Sequence, residues 1–242
     1  MTVQELVLKG KYNRDERRYE KSYKFFLEAA LEDDPIAIKN LGTAYIYEEG
    51  VCQDFEKGFH YLRRAYDLSK DASVIWHVMA IHDIVIGDRR GKQLYREFID
   101  YLIDRKEWSA YIVKANEYAP NGAYPYSVEN KIECYEKAIS HGLNVGADCL
   151  GEMFFLGKEV GCDYKKAYDY FQSYQGFESF AKPYYLGRMY ESGLYVVRNL
   201  DKARKEYRKI VNSNIPMRGS DVFYIKAAER LRNIERNLRG GT

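Results

Sequence analysis

One dipeptide constrains this chain more than any other feature. Leu-Gly occurs at 41–42, 150–151 and 186–187, each time inside an apolar-periodic stretch. "NLGTAYIYEEGVCQD" (40–54) and "YLGRMYESGLYVVRN" (185–199) share that Leu-Gly, a Tyr three residues after its glycine, and a second glycine further on. Gly151 to Gly187 is 36 residues, and Gly42 to Gly151 is 109, close to three such steps. Self-similarity at a fixed period of this size means a repeat architecture. Two degenerate copies are therefore expected between, at "SVIWHVMAIHDIVIGD" (73–88) and "SAYIVKANEYAPNG" (109–122). Both keep the apolar period and lose Leu-Gly.

A second register has the same period. "EKSYKFFLEAA", "EKGFHYLRRAY", "GKQLYREFIDYL", "NKIECYEKAIS", "KKAYDYFQSY" and "DKARKEYRKIV" align on Ser22, Gly58, Leu94, Ile132, Ala167 and Ala203, in steps of 36, 36, 38, 35 and 36. Each unit reads as two helices. Helix A carries Ala-x-x-x-Leu-Gly-x-x-Tyr, as in Ala37, Leu41, Gly42 and Tyr45, whose spacings of four and three share one helix face. Helix B carries apolar residues at similar spacing, as in Tyr164, Ala167, Tyr168, Phe171 and Tyr174. Asp34-Pro35 reads as an N-cap followed by Pro at the first helical position, and Asp54 and Asp163 read as caps of their B helices. Because "LG…Y…G" recurs at architectural spacing, Gly42, Gly151 and Gly187 are expected at close helix–helix approaches that a side chain would overpack.

Composition narrows the function. Lys and Arg number 38 against 36 Asp and Glu, a net charge of +2, which gives no reason to expect nucleic acid or an anionic membrane as partner. No apolar run approaches the roughly 18 residues of a spanning helix, and the start lacks the basic-then-apolar pattern of a secretory signal. Cys52, Cys134, Cys149 and Cys162 form no CxxC pair and do not recur once per unit, so reduced thiols in a cytoplasmic chain are expected. His60, His77, His82 and His141 are scattered, and His77 and His82, five apart, do not converge as metal ligands would. No nucleotide-binding fingerprint occurs. Neither cofactor nor metal nor catalytic residue is expected. The basic stretch at 204–211 and the Arg-rich end of the chain interleave acids and read as solvated helix faces.

The repeated line resembles that of the Sel-one-like repeat family, an α/α-solenoid relative of tetratricopeptide repeats. The resemblance is strong in "AIKNLGTAYIYEEGVCQDFEKGFHYLRRA" (37–65), "ADCLGEMFFLGKEVGCDYKKAYDYFQ" (147–172) and "AKPYYLGRMYESGLYVVRNLDKARKEYRK" (181–209). It is weak in 71–142, where Met79 stands in the glycine place, which marks that stretch for a kink or a specialised surface. The resemblance implies an all-α fold, a right-handed superhelical solenoid of about six two-helix repeats with a C-terminal capping helix. One repeat domain is expected over 1–242: an atypical first repeat at 1–34, five repeats over 35–214, a cap at 215–238 and a flexible tail at 239–242.

The resemblance also implies a non-catalytic adaptor that binds another protein or a peptide segment, as a monomer. A solenoid makes an extended concave surface and seldom a closed pocket. In related repeats ligands lie along helix A, at positions three before, two before and one after the Leu-Gly glycine. Carried over, these are Lys39, Asn40 and Thr43; Asp148, Cys149 and Glu152; Tyr184, Tyr185 and Arg188. Spacing adds Trp76, His77 and Ala80, then Tyr111 and Ile112, from the degenerate copies. Trp76, Tyr111, Tyr184 and Arg188 are of the types that anchor interfaces. The alternative is an enzyme, or a protein that neutralises an effector, with its site between repeats. A polar cluster with perturbed acids in a closed pocket would favour the enzyme.

Overall fold

Side-chain caps start the helices where the repeat breaks. In the computed structural model, which describes residues 1–174, 179–213 and 222–239, Asp34 Oδ1 accepts from Ala37 N at 2.8 Å and Pro35 opens α3 (Pro35–Tyr47). Asp54, Asp163 and Asn199 likewise cap α4 (Phe55–Ser69), α11 (Tyr164–Gln172) and α13 (Leu200–Val211). The N–H of each of these three caps also reaches back to the preceding A helix: Asp54 to Tyr45 O, Asp163 to Phe154 O, Asn199 to Tyr190 O, at 2.8–3.0 Å. The chain thus repeats one loop three times. The turn out of helix A requires a left-handed residue, which is Gly157 after α10 (Asn144–Leu156) and Gly193 after α12 (Ala181–Ser192). After α3 the same place is held by Glu48, at φ 60°.

The other helices are α1 (Val3–Asp15), α2 (Tyr19–Ala30), α5 (Val74–Ala80), α6 (His82–Val85), α7 (Arg89–Asp104), α8 (Ala110–Glu117), α9 (Val128–Ser140) and α14 (Val222–Arg239). Among the described residues there is no strand, so the chain is all-α. The residues form two compact units, Met1–Lys131 and Ile132–Thr242, with the boundary inside α9. In the first, α1 packs on α2 and α3 on α4, and the A helices meet in succession as α1 on α3, α3 on α6 and α5 on α8. In the second, α10 packs on α11 and α12 on α13, while α12 contacts both α10 and α14. Residues 240–242 of the expected tail, and residues 214–221 ahead of α14, lie outside the described residues.

Glycine sets the closeness of each hairpin. A Cβ on Gly187 would lie 2.5 Å from Tyr207 Cε1, one on Gly151 2.4 Å from Phe171 Cε1, and one on Gly42 2.9 Å from Gly58 O with Leu62 behind it. In each case the partner side chain is twenty residues on. Gly10 meets Phe26 in the same way at 2.6 Å, so the N-terminal hairpin uses this contact too. The Tyr after the glycine fills the adjoining gap: Tyr45 stacks on Tyr61 at 5.7 Å and meets Tyr23 edge-on at 5.9 Å. Gly187→Leu is therefore expected to cost about 1–3 kcal/mol by overpacking. Gly161→Ala, with nothing within 4 Å of the added carbon, is the neutral control in the same urea titration. Equal midpoints for both would remove the close contact from the account.

The degenerate stretch is where helix A breaks. Tyr47 Oη donates to Ala80 O at 2.8 Å, occupying a carbonyl that a continuous helix would use, and the helix restarts at His82 as α6. Helix α8 is equally short. Its last residue, Glu117, accepts from Tyr124 N through its carbonyl and from Ala123 N through its carboxylate, so the chain folds back over the helix end. A Cβ on Gly122 would sit 2.0 Å from Glu117 O, which is why glycine stands at that approach.

Candidate functional site

The strip of residues around the Leu-Gly glycine lies on the A helices, and its members have different fates. In the N-terminal unit, Thr43 is buried and its hydroxyl donates to Lys39 O at 2.9 Å, so it belongs to the packing of α3. Lys39 and Asn40 remain half-buried on the open side. Burial lowers the Lys39 pKa, and the charge of Lys11 on α1 lowers it further against the opposite pull of Asp71. His77, on α5, is lowered chiefly by burial and then by the charge of Lys39, while its Nδ1 faces Ser73 O at 3.3 Å. The structure thus brings Lys39 and His77 together. Asn40 is tied to them through Arg14, whose guanidinium lies 3.4 Å from Asn40 Oδ1 and pairs with Glu49 at 2.7 Å. Trp76 is 69% exposed on α5. Tyr111, half-buried on α8, stacks on Trp108 with ring centroids 6.4 Å apart.

In the C-terminal unit the corresponding residues fill space. Tyr184 and Tyr185 are each 5% exposed, which takes them off the open face. Tyr184 packs on Tyr185 at 5.2 Å and on Phe223 of α14 at 5.2 Å, and Tyr185 packs on Phe155 at 4.7 Å. The Tyr185 hydroxyl is held protonated, first by burial and then by the charge of Glu152. The Arg188 guanidinium lies 5.0 Å over the Phe155 ring. Asp148 is buried, accepting from Tyr174 Oη at 2.6 Å and from Ser179 Oγ at 2.5 Å. Burial pushes the Cys149 thiol up to about 11, Tyr135 pulling the other way, which leaves it inert as a nucleophile at neutral pH. The physical reason for this correction is the same throughout: α14 and the 173–180 segment cover the strip here.

Two groups went unnoticed in the sequence. Lys11 and Arg14 lie on α1, whose Gly10 is 32 residues before Gly42 and so falls out of the period. Counted from Gly10, Lys11 holds the strip position of Thr43, Glu152 and Arg188. The second group is polar and lies at the end of α8. The buried Glu117 carboxylate accepts from Tyr95 Oη at 3.2 Å and Ala123 N at 2.9 Å. His82 Nδ1 stands 2.8 Å from Glu117 Oε1, at ion-pair distance but outside hydrogen-bond alignment. Met79, Asp83 and Asn116 join them around a depression of about 260 Å³. This is an acid beside a histidine, but the acid's oxygens are engaged by groups that hold the chain together.

Among the described residues, no helix is long and apolar enough to cross a membrane, and no three His, Cys, Asp or Glu side chains gather as metal ligands would.

The Sel1 repeat family pattern matches residues 35–70, 150–173 and 184–209. An uncharacterized Sel1-like repeat-containing protein of Schizosaccharomyces pombe is 30% identical over 81 residues, 34% of this chain. The match spans only 12% of that relative's length. Among solved structures, a protective antigen of uropathogenic Escherichia coli with an SLR fold has a TM-score of 0.53 at 19% identity, over 88% of this chain and 50% of that one. A Sel1 repeat protein from Oxalobacter formigenes has a TM-score of 0.52 at 15% identity, over 96% of this chain and 99% of that one. At these identities the two structures speak to the fold alone.

Proposed function

This chain is a Sel1-repeat protein, and from that premise we propose that it is a non-catalytic scaffold that holds a segment of another protein against its A helices. Sel1 repeats are typically protein-interaction modules. The observation that carries the reading to a surface is Trp76. A tryptophan 69% exposed on an A helix contributes little to packing, and large exposed aromatics are the anchors of interfaces. Lys39, Asn40 and His77 lie on the same unit's A helices, and Tyr111 extends the strip onto α8. Thr43, Tyr184 and Tyr185 support the helices beneath, while Glu152 and Arg188 edge the strip in the C-terminal unit.

The enzyme alternative would use His82 and Glu117. It is disfavoured because Glu117 accepts from a backbone N–H and a buried phenol, and no nucleophile lines the depression.

The test is a partner captured from lysate, identified by mass spectrometry, purified and titrated. Trp76→Ala is expected to weaken it by roughly tenfold or more with an unchanged circular dichroism spectrum. Arg232→Ala, on the exposed side of α14, is expected to bind as the native chain does. The reverse pattern would move recognition to the C-terminal helix and sink this reading.

A further inference from the structure

Resting on that scaffold reading, we propose that the face formed by α1, α3 and α5 takes an acidic peptide segment, which seats an apolar side chain in the cleft beside Lys39. Three A helices converge their cations here: Lys11 and Arg14 from α1, Lys39 from α3, His77 from α5. Their charges act on one another. Lys39 feels Lys11, and His77 feels both Lys39 and Arg14, each in the direction that disfavours the second positive charge. An anionic segment relieves that repulsion.

The acids nearby are otherwise engaged. Glu49 pairs with Arg14 at 2.7 Å. Asp71 accepts from Ser73 N at 2.9 Å and from the Ser73 hydroxyl, and Asp34 caps α3. Among the described residues, neither Lys11 nor Lys39 has a carboxylate within ion-pair distance. The C-terminal unit differs: Arg188 lies over Phe155, Arg230 pairs with Glu191 at 2.9 Å, and Lys182 Nζ donates to Tyr174 O at 2.5 Å. Spare positive charge is therefore a property of the N-terminal unit.

Beside Lys39 is a cleft of about 270 Å³, lined by Pro35, Ile36, Ala65, Tyr66 and Val74 with Asp34, Ser69 and Asp71 at its rim. Ile36 is 42% exposed, and Trp76 offers a second apolar surface on α5. Charge gives orientation and on-rate, and an apolar anchor in a pocket gives residence. One segment with carboxylates flanking an aliphatic or aromatic residue uses both. A nucleic-acid strand would satisfy the cations and leave the aliphatic cleft empty.

The experiment is selection from a phage-displayed library of random dodecapeptides on the native protein. The best binder is then synthesised with a fluorescein label and titrated by anisotropy. The selected peptides are expected to be rich in Asp and Glu around an apolar residue. Binding is expected to weaken between about 50 and 300 mM salt, as the Debye length falls from over 10 Å to below 8 Å. Lys39→Glu is expected to cost roughly tenfold or more while the melting curve stays in place. Enrichment of neutral or basic peptides would overturn the proposal, as would acidic peptides that Lys39→Glu binds equally well. Neutral peptides lost in Trp76→Ala would leave the scaffold reading standing while the acidic inference falls. No enrichment at all would overturn both. A poly(U) strand that binds more tightly than any peptide, and is released by Lys39→Glu, would replace the peptide with nucleic acid.

Discussion

Glu117→Ala is expected to destabilise the N-terminal unit by about 3–5 kcal/mol. The carboxylate is buried at the end of α8 and is the acceptor for two buried donors, the Tyr95 hydroxyl and the Ala123 N–H. Tyr95 has no exposed surface, and Ala123 has 1%. Truncation orphans both donors, each at a cost of about 1–3 kcal/mol, and adds the void left by the side chain. Glu117→Gln keeps the shape and one acceptor but turns an NH₂ toward one of the donors, so a smaller loss of about 1–3 kcal/mol is expected. Urea unfolding followed by circular dichroism gives the size of the effect. Hydrogen exchange locates it, with protection expected to fall first at Ala123 and Tyr124. A native-like midpoint for Glu117→Ala would show that this carboxylate does not hold the segment.

Tyr184→Ala is expected to cost about 3–5 kcal/mol in the C-terminal unit, the range for removing a buried aromatic ring. The ring is wedged among Tyr185, Tyr207 and Phe223, at 5.2, 6.3 and 5.2 Å between centroids. Its loss opens a cavity in the packing of α12 with α13 and α14. Tyr184→Phe retains the ring and is expected to stay within about 1 kcal/mol of the native chain. If both variants unfold together well below the native chain, the hydroxyl and not the ring supports the packing. Tyr184 is thus a stability probe, whereas Trp76→Ala, on an exposed ring, reports on binding.

The contrast between Trp76 and Tyr184 shows where sequence reading stops. Both stand three residues before the glycine place, with Lys39 and Asp148 in the same register. A helical period assigns all four to one face of their own helices, and it assigns them correctly. It is silent on what the next element lays against that face. Phe223 of α14 covers Tyr184, and Tyr174 and Ser179 close over Asp148. Trp76 meets no such cover, because α5 is short and breaks where Tyr47 takes the Ala80 carbonyl.

The sequence by itself determined the hairpins, their caps and their close contacts. These depend on spacings written locally: Asp or Asn at the start of each B helix, glycine one helix back from a ring twenty residues on, apolar residues every three or four. Repetition made those spacings visible despite divergence. Only the tertiary structure decided which strip positions are open, that Lys11 and Arg14 join Lys39 and His77, and that Glu117 is an acceptor for groups 22 and 6 residues away. The physical reason is that burial and charge belong to neighbourhoods assembled from several repeats, while periodicity reports the direction of a side chain from its own helix axis.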